Sequence, residues 1–150
     1  MPDDHNKPGS SPTGLPDGAV VDPAAVERLA VFHLNAVGDM VFSLPALKCL
    51  RNTFPQARIT SILRPHLLEL LEPAGIADEI LVRPDAREAP QCVRFVSRLR
   101  KHRFQLAVLF SQSATANIFA FLSGAPVRVG FIDTIFPFLL THPLDRRGIT

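Results

Sequence analysis

The chain has 150 residues, of which 47% are hydrophobic and 20% are charged. This balance is typical of about one globular domain and excludes a chain that is disordered throughout. The net charge of +2 argues by itself neither for nor against nucleic acid, and we expect no nucleic-acid partner.

Residues 1–27 are predicted to form a flexible tail, because they hold five of the 14 prolines and three of the eight glycines. They carry five acidic residues and one basic residue, which leaves a net charge of +6 on residues 28–150. The first residues lack the basic and apolar regions of a signal peptide. Cys49 and Cys92 have the spacing of neither a disulfide framework nor a zinc site. We therefore expect a cytoplasmic protein.

From residue 28 onward, short apolar runs alternate with segments of helical periodicity, which is typical of βαβ units. The predicted strands are residues 29–34, 58–63, 79–82, 104–110 and 128–131. The predicted helices are residues 40–52, 65–72, 91–102 and 115–122. This alternation predicts an α/β fold over residues 28–150, a Rossmann-like parallel sheet with helices on both faces. Residues 132–150 are not expected to complete the pattern, because proline interrupts their apolar run.

The helical periodicity also predicts which side chains face the sheet. In the first helix these are Val41, Leu44, Leu47 and Leu50, followed by Phe54. In the third helix they are Val93, Val96 and Leu99.

The loop after the first strand, residues 35–39, lies at the edge of the sheet where ligands bind in this fold class. Gly38 allows a ligand to approach the backbone at a helix N-terminus. Asp39 there can take a proton from an attacking alcohol, or it can simply cap the helix. No GxGxxG or Walker A motif is present, so nothing supports a dinucleotide site or an NTP-hydrolysing site.

Further polar residues follow the first and fourth strands. Asn35 can bind a sugar hydroxyl, or it can bond its own backbone in a turn. Ser111, Gln112 and Ser113, with Thr115 after them, suit a substrate rich in hydroxyl groups, although serine and threonine before a helix are usually caps. None of the five histidines has metal-ligand spacing, so we expect no metal site.

A basic cluster lies on or just after the third helix, with Phe95 and Phe104 among its members. It consists of Arg94, Arg98, Arg100, Lys101 and Arg103. Such a cluster can contact anionic lipid at the inner face of a membrane or a phosphorylated substrate. The alternative is an ordinary solvated helix face.

Several segments together resemble the opening of the glycosyltransferase family 9 proteins, the ADP-heptose:lipopolysaccharide heptosyltransferases. The main match is residues 31–47, an apolar strand followed by Gly38-Asp39 and by Leu44-Pro45-Ala46-Leu47. It continues through residues 54–60, which begin Phe54-Pro55. Later matches are Arg64-Pro65, residues 122–126 and residues 128–131. The resemblance covers residues 28 to about 131.

This resemblance implies a GT-B enzyme, in which the N-terminal domain binds the acceptor and the C-terminal domain binds the nucleotide-sugar. It implies inverting transfer of heptose from ADP-heptose to a lipopolysaccharide inner core, with no cofactor or metal. The general base of the family falls on Asp39, and Asn35, Gly38 and the loop of residues 111–113 are the expected acceptor site. Where many relatives have an arginine after the fourth strand, this chain has Thr115 or Ala116. The C-terminal nucleotide-sugar domain is absent from the 150 residues.

Two other functions remain open at this point. The chain can be a non-catalytic truncated remnant or interaction module of such an enzyme, for which absence of transfer activity in a stably folded chain is the sign. It can also be a generic nucleotide-binding Rossmann domain, which tight binding of NAD or ATP would indicate.

Overall fold

The computed structural model describes residues 21–145 and residue 147. The strands are β1 (Arg28–Phe32), β2 (Arg58–Leu63), β3 (Glu79–Val82), β4 (Leu106–Leu109), β5 (Val127–Phe131) and β6 (His142–Leu144). The helices are α1 (Val37–Thr53), α2 (Leu68–Leu71), α3 (Ala89–His102) and α4 (Ala114–Leu122). Short 3-10 turns occupy Pro23–Ala25, Pro65–Leu67, Glu72–Ala74 and Pro137–Leu139.

The six strands form one sheet in the order β3-β2-β1-β4-β5-β6, and every pairing is parallel. This is the strand order of the doubly wound Rossmann fold, whose order reverses between β1 and β4. The predicted α/β Rossmann-like fold is therefore confirmed. The loops after β1 and β4 lie side by side at the carboxyl edge, where ligands bind in such sheets.

Two apolar cores cover the two faces of the sheet. One joins α1, α2 and the 3-10 turn before α2 to the sheet through Met40, Leu47, Leu67 and Leu71. The other joins α3 and α4 through buried side chains that include Phe95, Leu99, Phe119 and Ala120. Helices thus cover both faces, as the alternation of strands and helices predicts.

The sheet contains one strand more than the sequence predicts. Residues 142–144 pair in parallel with β5, so the segment 132–150 does extend the sheet. The strand escapes prediction because it has three residues and contains Pro143. Proline is tolerated there because β6 lies at the edge of the sheet, where one side of the strand needs no ladder partner.

The structure also corrects the details of two helices. Helix α1 begins at Val37, so Gly38 and Asp39 lie in its first turn rather than in a loop. Val41 and Val93, both predicted to face the sheet, are exposed. The predicted Leu47 and Leu99 are buried, as expected, and they are joined by Met40 and Ser43 in α1 and by Phe95 in α3, which were not predicted.

Residues 1–20 of the predicted tail lie outside the described residues. Within residues 21–27, Val26 is buried in the core on the α1 side. The amide of Glu27 donates to Oε1 of Gln105 at 2.6 Å. No helix in the described part of the chain is long and apolar enough to cross a membrane.

Candidate functional site

Asp39 lies at the carboxyl edge of the sheet, in the first turn of α1. Its carboxylate is exposed and has no hydrogen-bond or ion-pair partner among residues 21–145 and 147. The N-cap position belongs to Ala36, which has no side chain that can cap, so the capping role considered for Asp39 is not the one observed. A free carboxylate at this edge is available to a ligand.

A cleft of about 270 Å³ adjoins Asp39. Its walls come from the ends of β1, β4 and β5 and from one side of α1, and they are Leu34, Phe42, Ser43, Ala46, Phe110 and Phe131. The first intrahelical bond of α1 runs from the Met40 amide to the Ala36 carbonyl at 2.9 Å, which leaves the preceding amides without helical partners. The cleft therefore combines mostly apolar walls with one carboxylate, beside the start of a helix.

Gly38 precedes Asp39 in the same turn. A Cβ atom placed on Gly38 would meet no other heavy atom within 4 Å. The glycine is therefore not required by the packing of the described chain. Its small size leaves space in front of the helix amides.

Asn35 is anchored from two sides. Its Oδ1 accepts a hydrogen bond of 2.6 Å from Nη2 of Arg83, and its backbone carbonyl lies 2.7 Å from Nε2 of His66. The side chain therefore does not close a turn on its own backbone, which was the alternative considered for it. These contacts fix Asn35 on the β2 and β3 side of the site, while the Asp39 cleft opens toward β4 and β5.

Arg83 is a candidate site residue that sequence reasoning missed. It follows β3 directly and is only 4% exposed, and its Nη1 has no partner among the described residues. Burial lowers the pKa of its guanidinium, and the neighbouring charge of Arg64 adds to this. The sequence signal that could have identified Arg83 was its position immediately after a predicted strand. Its contact with Asn35 joins residues 48 apart in the chain, and local sequence does not indicate such a contact.

Arg83 borders a groove of about 600 Å³ at the same edge of the sheet. Three other arginines line it, namely Arg64, Arg94 and Arg98, along with the acidic residues Asp85 and Glu88. Arg64 lies 3.8 Å from Asp85, and Arg98 lies 3.8 Å from Glu79. The excess of cations suits an anionic ligand.

In the loop after β4, both serine side chains form hydrogen bonds within the protein. The Ser113 side chain caps α4 by accepting a bond from the Ala116 amide, as serine before a helix usually does. The Ser111 hydroxyl donates to Oγ of Ser113 at 3.1 Å. Gln112 lies between them, and its Nε2 is buried without a partner in the described chain. Gln112 is thus the member of this loop with a spare donor.

The basic cluster of α3 divides between two parts of the surface. Arg94 and Arg98 border the Arg83 groove. Arg100, Lys101 and Arg103 lie at the C-terminal end of α3, which is the opposite edge of the sheet from Asp39. Phe95 and Phe104, the aromatic members, are buried in the core.

Among the described residues, no group of three or more histidine, cysteine, aspartate and glutamate side chains is placed to hold a metal ion. Cys49 and Cys92 are free thiols.

Comparison with known proteins gives structural matches and no sequence matches. No family model matches the chain, and no curated protein matches it in sequence. Among solved structures, the E. coli ADP-heptose lipopolysaccharide heptosyltransferase II aligns with 80% of the chain at 23% identity and a TM-score of 0.69. A glycosyltransferase family 9 structure from Veillonella parvula aligns with 83% of it at 19% identity and a TM-score of 0.68. The E. coli heptosyltransferase WaaC with ADP aligns with 79% at 12% identity and a TM-score of 0.66.

The chain spans only 36% to 40% of the length of these three structures. The likeness is thus to one part of larger GT-B glycosyltransferases. About four fifths of the chain has the fold of that part of the heptosyltransferase and family 9 structures.

Proposed function

We propose that this chain is the acceptor-side domain of an inverting glycosyltransferase of family 9, one that transfers heptose from ADP-heptose to a lipopolysaccharide inner core. The observation that carries the proposal is Asp39. Its unpartnered carboxylate borders a cleft at the carboxyl edge of a sheet with the heptosyltransferase fold.

In the proposed reaction, Asp39 is the general base. A hydroxyl of the acceptor donates its proton to the Asp39 carboxylate while its oxygen forms a bond to the anomeric carbon of the heptose. The bond from that carbon to the phosphate oxygen of ADP breaks, and ADP leaves with the electron pair. Attack from the face opposite ADP inverts the anomeric configuration. The free amides at the start of α1 are suited to orient oxygen atoms of the substrate beside the base.

The acceptor is proposed to lie across both sides of Asp39. On one side, Asn35 and the cationic groove of Arg83 suit an anionic saccharide. On the other side, Gln112 offers a buried amide donor. Ser111 and Ser113 shape this loop through their mutual bond and the cap of α4, and Gly38 leaves space for the sugar.

The nucleotide-sugar site is proposed to lie outside these 150 residues, because the chain spans about two fifths of the matched structures. Stabilisation of the departing ADP must then come from that other part. We propose that the reaction takes place in the cytoplasm with ADP-heptose as a substrate and no cofactor. The free thiols of Cys49 and Cys92 are compatible with such a reducing compartment.

The test is a transfer assay on the complete gene product, with ADP-heptose as donor and a heptose-deficient lipopolysaccharide core as acceptor. We expect ADP release matched one to one by acceptor that has gained a heptose. The isolated 150-residue chain is expected to bind the acceptor without turnover. A complete gene product that folds but transfers no sugar would contradict the proposal and favour a non-catalytic interaction module.

A further inference from the structure

An apolar groove of about 420 Å³ runs between α3 and α4 on the outer surface of the domain. Its apolar lining includes Cys92, Val93, Val96, Ile118, Phe119 and Leu122. Val93 is 70% exposed, and Ile118 is also exposed at the rim. A soluble domain rarely leaves large apolar side chains grouped in this way without a partner.

A second hollow adjoins the groove and shares Val93 and Val96 with it. The rest of its lining is Ser97, Arg100, Lys101 and Arg103. Nε of Arg100 donates to the carbonyl of Leu122 at 2.8 Å, which holds this guanidinium at the end of the groove. No acidic residue lines either hollow.

Lys101 and Arg103 have no ion-pair or hydrogen-bond partner for their side chains within the described part of the chain. Their charges are therefore not neutralised locally. The surface combines protruding aliphatic side chains with unpaired cations. An anionic lipid bilayer has the complementary chemistry, because apolar groups enter its interface and basic groups contact its phosphates.

We propose that this α3–α4 surface, formed by the groove and its basic rim, docks the domain on an anionic lipid bilayer. Val93 and Ile118 enter the interface, and Arg100, Lys101 and Arg103 contact lipid phosphates. One end of the groove is formed by Ala86, in the loop before α3, and by Thr115, in the first turn of α4, both near the carboxyl edge of the sheet. This arrangement presents the saccharide of a membrane-anchored acceptor to the carboxyl edge of the sheet, where Asp39 lies. That last step rests on the function proposed above.

The experiment is sedimentation of the 150-residue chain with vesicles of phosphatidylcholine alone or mixed with phosphatidylglycerol. We expect binding to the mixed vesicles that weakens when salt rises from 0.1 to 1 M, because the screening length shortens from about 10 to about 3 Å. Lys101→Gln should weaken binding about fivefold. Lys48→Gln, the matched change on exposed Lys48 of α1 on the opposite face, should leave binding unchanged.

The apolar contribution is tested by Val93→Asn, with exposed Val41→Asn on α1 as its matched control. Only Val93→Asn is expected to weaken vesicle binding, and circular dichroism checks that both variants are folded. Equal binding to neutral and anionic vesicles, no binding to either, or equal effects of the paired variants would overturn the proposal. Burial of this surface in a dimer, seen as a doubled mass that Val93→Asn abolishes, would overturn it as well. Vesicle binding is measured without substrate, so its failure is distinct from a failure of sugar transfer.

Discussion

His33 is a buried histidine immediately after β1, at the carboxyl edge of the sheet. It is 2% exposed, its Nε2 lies 3.0 Å from Oγ of Ser61, and its Nδ1 has no partner in the described chain. The ring of Phe110 packs edge-on at 5.9 Å between ring centroids. Burial lowers the pKa of His33 from 6.5 to about 4, because the charged imidazolium is poorly solvated there.

We expect this histidine to make the fold sensitive to mild acid. Between pH 6.5 and 4 the unfolded chain binds a proton at His33 that the folded chain does not, so stability falls as pH falls through this window. The loss should reach about 2 kcal/mol between pH 7 and pH 5. Urea unfolding at the two pH values measures it. His33→Gln should remove most of this difference, whereas His66→Gln, at an exposed position, should keep it. An unchanged difference in His33→Gln would contradict the assignment.

Arg83 is expected to govern acceptor affinity rather than the chemical step. Arg83→Met removes the cation of the groove and the donor that holds Asn35, while its long apolar side chain still fills the buried space. A charge-assisted hydrogen bond is worth about 1.5–3 kcal/mol, so the KM for an anionic acceptor should rise at least about tenfold with a smaller change in kcat. Exposed Arg87→Met is the matched control. If Arg83→Met had the KM of the wild type, the proposal that Arg83 helps to bind the acceptor would be contradicted.

At the scale of elements, two glycines differ in whether the surrounding structure leaves room for a Cβ atom. A Cβ on Gly130 of β5 would lie 3.2 Å from Cβ of Leu109 and 3.1 Å from Cδ2 of Leu140, whereas one on Gly38 of α1 would meet nothing. Gly130→Ala should therefore lower the free energy of unfolding by about 1–3 kcal/mol, since Leu109 is fixed in the adjacent strand. Gly38→Ala should leave it unchanged or raise it by up to about 1 kcal/mol. Urea unfolding compares them, and equal effects would contradict this account of β5.

The elements also show which strands and which helix faces sequence periodicity predicts correctly. The largely buried runs of β1, β2 and β4 predict these strands because burial on both faces favours continuous apolar residues. The short edge strand β6 needs no such run, so it leaves no comparable signal. The inward prediction for Val93 was wrong because the facing groove between α3 and α4 is open, and Phe95 supplies the buried contact instead.

The candidate site was predicted in part for a related reason. Asp39 and Asn35 follow a strong strand signal at the edge where ligands bind, so local sequence was sufficient to nominate them. The contact of Asn35 with Arg83 joins distant parts of the chain, and it forms only because β3 pairs with β2 and β2 with β1. Such a contact depends on the order of strands in the sheet, which local periodicity does not encode.

For the whole molecule, the proposed roles of the chain follow from the share of the matched structures that it covers. The chain spans about two fifths of the length of the matched structures, and the proposed base and acceptor groove both lie within it. The α3–α4 surface lies on the face of the sheet opposite α1, so docking on a bilayer would leave the Asp39 cleft uncovered. The proposed acceptor site and the proposed base thus lie together at the carboxyl edge of the sheet, and the proposed membrane contact lies on the face covered by α3 and α4.

The most direct test of the central claim is the rate of heptose transfer by the complete gene product carrying Asp39→Asn. The amide is nearly the same size as the carboxylate but accepts no proton, so the account predicts that kcat falls about 10²- to 10⁴-fold with acceptor affinity and stability unchanged. Glu69→Gln, at an exposed carboxylate in α2, should transfer at the wild-type rate. Transfer by Asp39→Asn at the wild-type rate would contradict the role of Asp39 as the base.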